Sequence, residues 1–128
     1  MQKLSQKLKK GASSKRKLIR ESANMEIEVI AHPEDTDYTD QGYDEGVEEV
    51  IRQNVQNYGL WGWCMVEVKA SSLKGAVSNS AYLGGCSYQS AEDFKRNSPY
   101  FKEMKREATQ GLEKAMNELE MELSKRKK

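Results

Sequence analysis

The sequence predicts an α+β domain: a small antiparallel sheet of about three strands in β-α-β-β-α order, packed by a long C-terminal amphipathic helix and preceded by a basic N-terminal arm over residues 1–22. Three observations predict it. Segments near residues 24–31 and 60–70 alternate apolar and polar residues, a third strand-like segment follows after turn residues, and apolar residues recur at helical spacing from Phe101 to Leu123. With 128 residues the chain has the length of one ordinary domain, placed at 23–128.

The first strand is "NMEIEVIA", in which Met25, Ile27, Val29 and Ala31 share one side and Glu26 and Glu28 the other. His32-Pro33 stops it, because proline offers no N–H to a ladder. A polar loop, "EDTDYTDQGYDEG", leads to a helix over about 44–58. Val47, Val50, Ile51, Val55 and Tyr58 form its apolar face, carboxylates fill its first turns, and Gly59 ends it.

Leu60 to Ala70 is the second strand. Leu60, Gly62, Cys64, Val66, Val68 and Ala70 fall on one face; Trp61, Trp63, Met65, Glu67 and Lys69 fall on the other. The loop "SSLKGAVSNS" then returns the chain into "AYLGGCSYQS", a third strand with Tyr82, Gly84, Cys86 and Tyr88 in phase. Folding about Gly75 sets Cys64 opposite Cys86. Glycines inside a strand mark a bulge or the close approach of a bulky neighbour, for which Trp61 and Trp63 are the candidates.

Ser90 with Asp93 three residues on resembles a capping box, and Ser98-Pro99 reads as a second helix start. The long helix carries Phe101, Met104, Ala108, Leu112, Ala115, Leu119 and Leu123 on one face. It is expected to run past the sheet, leaving Met116 and Met121 as surface for a homodimer.

Composition bounds the function classes. Hydrophobic residues are 37% and charged residues 32%, so the core covers part of the chain. No apolar run approaches the roughly 20 residues that span a bilayer, and residues 1–22 lack the apolar stretch of a secretory signal. The expectation is a soluble, cytoplasmic chain whose Cys64 and Cys86 stay reduced.

Charge is segregated. Residues 1–22 hold eight Lys or Arg against Glu21 alone, and residues 23–51 hold ten carboxylates and no Lys or Arg. The basic residues Lys7, Lys9, Lys10, Lys15, Arg16, Lys17 and Arg20 have three readings: a solvated terminus, contacts to phosphates of DNA or RNA, or cover for the acidic block. The cluster Lys125, Arg126, Lys127, Lys128 adds a second basic end.

Residue chemistry points away from catalysis. Cys64, Cys86 and His32 are the soft ligands present, and no C-x-x-C or H-x-x-x-H pair joins them, so neither a metal nor a cofactor is expected. His32 has no sequence reason to meet Cys86 as a base. The loop "HPEDTDYTD" lacks the glycine and glutamate positions of an EF-hand, and "LGGCSY" lacks the lysine and helix start of a phosphate loop. No catalytic residue is expected.

"WGWCMVEVKA", "YLGGCSY", "EDF" and the Tyr-Phe and Met-containing helix with Glu107-Ala108 resemble a group of small accessory proteins carried by phages, plasmids and integrated elements. The resemblance covers roughly residues 25–123, with Gly62 where the group is expected to have alanine. It implies a non-enzymatic binding protein acting in a bacterial host cell, of the kind that includes inhibitors of host defence such as anti-CRISPR proteins. On that expectation Glu34, Asp35, Asp37, Asp40, Asp44, Glu45, Glu48 and Glu49 face a basic cleft of a host protein or nucleoprotein. The second reading is a nucleic-acid-binding protein, with basic termini on phosphates and Trp61, Trp63, Tyr82 and Tyr88 as stacking candidates.

Overall fold

The computed structural model describes residues 25–126; the seven arm residues from Lys7 to Arg20 named above, and the last two lysines, lie outside them. Strand β1 (Glu26–Pro33) turns Ile27, Val29 and Ala31 toward the core and leaves Glu26 and Glu28 exposed. It closes at Pro33, two residues beyond the alternating run. β1 is an edge strand, so its last residue can lack an N–H without breaking a ladder on both sides.

Helix α1 (Glu45–Tyr58) begins as its caps require. Asp44 accepts the Val47 N–H at 2.9 Å, and Gly59, at φ 64°, ends the helix with its N–H on the Val55 carbonyl. A 3-10 turn (Gly59–Gly62) follows where a strand was expected, and β2 starts only at Cys64. Contact with α1 explains the delay. A Cβ on Gly62 would sit 2.3 Å from the Val55 nitrogen, so the turn and helix backbones touch directly. The correction separates the two tryptophans: Trp61 packs on the core beside Phe94, while Trp63 lies elsewhere.

β2 (Cys64–Ser72) and β3 (Val77–Cys86) form the hairpin, and the sheet order is β1-β2-β3, all antiparallel. The loop expected over 71–80 shrinks to Leu73–Ala76. Leu73 and Lys74 take positive φ (53° and 56°), and Ser72 accepts the Gly75 N–H at 3.1 Å. Both conformations are unusual outside glycine and asparagine, so local sequence hides this tight turn.

Cys64 pairs with Cys86 as the sequence suggests, but Val66 pairs with Leu83, so β3 holds one extra residue between these pairs. Gly85, at φ 66°, makes the bulge. The bulge breaks the expected phase. Tyr82 pairs with Glu67 away from the core and is exposed, Cys86 is buried, and Tyr88, past the strand, packs on the core.

Helix α2 (Ala91–Asn97) starts on Ser90, whose hydroxyl accepts the Asp93 N–H, while the shorter Asp93 carboxylate reaches back to the Gln89 N–H at 2.9 Å. It delivers Phe94, fully buried, against Tyr88, Phe101 and Trp61. Helix α3 (Phe101–Arg126), about 39 Å long at 1.5 Å per residue, buries Met104, Ala108, Leu112, Met116 and Glu120 at four-residue spacing. Met116, expected beyond the sheet, is buried with Ala70, Ala108 and Leu112; Met121 is exposed. Asn79 lies over Gly111 and donates to the Ala108 carbonyl, fixing α3 against β3.

The fold is therefore α+β, with α2 and α3 on one face of a three-stranded sheet. None of the described helices is long and apolar enough to cross a membrane.

Candidate functional site

α1 departs from the sequence expectation in a way that creates a surface. Of its five predicted apolar positions, Ile51 alone is buried. Val47, Val50, Val55 and Tyr58, together with Tyr43 before the helix and Leu60 after it, are 38–57% exposed. The helix rests on the 3-10 turn through Gly62 and on the segment after β3, where Asn54 donates to the Ser87 hydroxyl at 2.9 Å. It does not lay its apolar face on the sheet. A run of large exposed apolar side chains on one element is what an interaction surface looks like.

The eight predicted carboxylates lie in the loop before α1, at its cap and along its first half, and several have local tasks. Glu34 accepts the Gly85 N–H at 2.6 Å. Asp37 caps the 3-10 turn Tyr38–Asp40, accepting the Thr39 N–H and hydroxyl, each at 3.0 Å; these two bonds hold its carboxyl below the usual range. Asp44 caps α1. Glu49 is lowered chiefly by the hydrogen bond from the Arg52 guanidinium, which neutralises it. Asp40 lies in the 3-10 turn, and Glu45 and Glu48 lie in the first turn of α1. Asp35 is exposed, and its carboxylate accepts no hydrogen bond from the described residues.

Trp63 sits where the loop and α1 meet. Its indole N–H donates to the Thr36 carbonyl at 2.7 Å, and the Tyr38 and Tyr43 rings stand edge-on to it at 6.0 and 6.4 Å. A Cβ on Gly85 would lie 3.5 Å from the indole, an ordinary contact, so the ring packs beside the bulge without requiring glycine there; the positive φ of Gly85 is what favours it. A groove of about 450 Å³ opens here, lined by Trp63, Tyr38, Val55, Gly59 and Leu60 together with Glu34, Asp35, Thr36 and Asp37. Three predicted carboxylates and one predicted tryptophan thus converge. The sequence reading missed Tyr38, Tyr43, Val55 and Leu60; the signal available was tyrosine interleaved with aspartate in "DTDYTDQGYDEG".

The other aromatic candidates separate. Trp61 and Tyr88 are packed around Phe94, whereas Tyr82 is 59% exposed on the sheet face away from α2 and α3. There Glu67 accepts hydrogen bonds from His32 Nε2 at 2.7 Å, Ser80 Oγ at 2.6 Å and Tyr82 OH at 3.4 Å. Burial alone would raise the Glu67 pKa. The three hydrogen bonds and the charge of His32 outweigh it, and the carboxyl lies below its usual range. The carboxylate stands between histidine and hydroxyl, the reverse of the order in which histidine activates a serine nucleophile.

The described residues contain no group of three His, Cys, Asp or Glu able to hold a metal. Cys64 and Cys86 are free and buried, and burial pushes their thiols up to about 12 and about 11. Such thiols are poor nucleophiles at neutral pH. Comparison with protein-family models, curated proteins and solved structures found no match.

Proposed function

We propose that this chain is a non-enzymatic binding protein of phage or mobile-element type that docks, through the surface formed by α1 and the loop before it, on a basic face of a host defence nucleoprotein such as a CRISPR effector. The observation that carries the reading is the coincidence of six exposed large apolar side chains, Tyr43 to Leu60, with eight carboxylates from Glu34 to Glu49. Apolar contact supplies affinity, and the acidic surround steers the chain to a site shaped for nucleic acid. The same charge disfavours a second copy as occupant, since two α1 faces would bring Glu45 and Glu48 against their like. Stacking on nucleic acid is supported less well, because Trp63 and Tyr82 lie beside carboxylates that repel phosphate.

The test is expression of the full chain in bacteria with an active RNA-guided defence, scored by phage plaquing and by the nucleoprotein that co-purifies. The wild-type chain restores plaquing and retains the nucleoprotein, and the surface variants Val50→Lys and Glu48→Lys lose both. Retention of full inhibition by these variants, or no effect of the wild-type chain, removes the reading.

A further inference from the structure

We propose that the Trp63 groove is an arginine pocket: it takes the guanidinium of an arginine side chain projecting from a basic protein partner. The inference rests on the docking surface of the preceding section and names the chemistry of its central contact. Carboxylates alone would stay solvated. Here three of them line a concavity together with an indole, a phenol ring and the aliphatic side chains of Val55 and Leu60, the latter 46% exposed.

The hydrogen-bond inventory selects the ligand. The Trp63 N–H is already satisfied by Thr36, so the indole lines the groove as an aromatic ring with no free donor. Both Glu34 oxygens are engaged, by the Gly85 and Asp35 N–H groups, and one Asp37 oxygen is engaged by Thr39; each still contributes a carboxylate to the groove lining. Asp35 is exposed, and no hydrogen bond from a described residue reaches either of its carboxylate oxygens. The groove thus presents acceptors, negative charge and an aromatic ring, and among the described residues no Lys or Arg lines it, as a phosphate or carboxylate ligand would need. Between the two basic side chains, arginine fits better. Its planar guanidinium stacks on indole and meets a carboxylate with two parallel N–H donors, whereas an ammonium is a compact, strongly hydrated point charge.

The test is titration of the ¹⁵N-labelled full chain with a blocked Gly-Arg-Gly peptide, following the two indole N–H resonances, with Trp63 assigned through Trp63→Phe. The Trp63 resonance is expected to shift with millimolar affinity while Trp61 stays still. The citrulline peptide, isosteric and neutral, gives no shift; the lysine peptide binds several-fold more weakly; and Asp35→Asn, which touches no cap, weakens arginine binding about tenfold or more. An equal response to citrulline, an unaffected Asp35→Asn, a stronger response to lysine or to an oligonucleotide, or no shift at all would each overturn the pocket. Val50→Lys separates the two claims: it leaves the peptide titration unchanged while abolishing partner capture, so the groove and the wider surface fail independently.

Discussion

Glu34 accepts the backbone N–H of Gly85 at 2.6 Å, joining the first residue after β1 to the bulge in β3 across 51 positions of sequence. A Cβ on Gly84 would lie 2.8 Å from the same carboxylate, so a side chain there would push Glu34 aside. Replacing Glu34 by Ala is expected to lower stability by about 1–2 kcal/mol, the size of a hydrogen bond to a charged group. Urea unfolding measures this; an unchanged midpoint would show that the link contributes nothing.

Gly62→Ala tests the seat of α1. The new methyl would fall 2.3–2.5 Å from backbone atoms of Asn54 and Val55, which cannot rotate away as a side chain can. The expected loss is about 3 kcal/mol, the upper end for overpacking. In variants that still fold, amide exchange along α1 should quicken first.

Lys74→Gly should stabilise. Lys74 holds φ 56° in the β2–β3 turn, a conformation costing an L-residue roughly 1–2 kcal/mol, and its side chain is exposed. Part of that gain is offset by the greater freedom of glycine in the unfolded chain, so the net expectation is about 0.5–1 kcal/mol. A lower melting temperature for the variant would contradict the turn geometry.

Glu67 predicts an acid-dependent term. Its folded pKa lies below the ordinary glutamate value of 4.5, so the unfolded chain binds its proton first as pH falls. The stabilisation is complete above about pH 5 and disappears as pH drops below 4.5 through the folded pKa. Glu67→Gln should flatten the stability profile in that window, and Ser80→Ala should flatten it in part.

Cys64 and Cys86 predict the opposite slope in alkali. Their folded pKa values, about 12 and about 11, exceed the unfolded value of 9.0, so stability falls as pH rises from about 9 toward 11. At pH 8 both thiols should react with iodoacetamide at least tenfold more slowly in the native than in the urea-unfolded chain. Equal rates would place them outside the core.

Local patterns determined most elements of this protein. The alternation at Ile27, Val29 and Ala31, the run from Cys64 to Ala70, the caps Asp44, Ser90 and Gly59, and the four-residue stripe through Met104, Ala108 and Leu112 are each written in neighbouring residues, so sequence alone places them. The acidic half of the candidate site was legible for the same reason, as a block of charge. Tertiary contact decided the rest. Whether the apolar face of α1 is core or surface depends on Gly62 meeting the backbone at Asn54–Val55, and the side on which Tyr82 emerges depends on one left-handed glycine at position 85. The Trp63 groove needs Tyr38 and Leu60 brought from opposite ends of α1. Periodicity records which residues share a face; it carries no information about what that face meets, because burial is settled between segments distant in the chain.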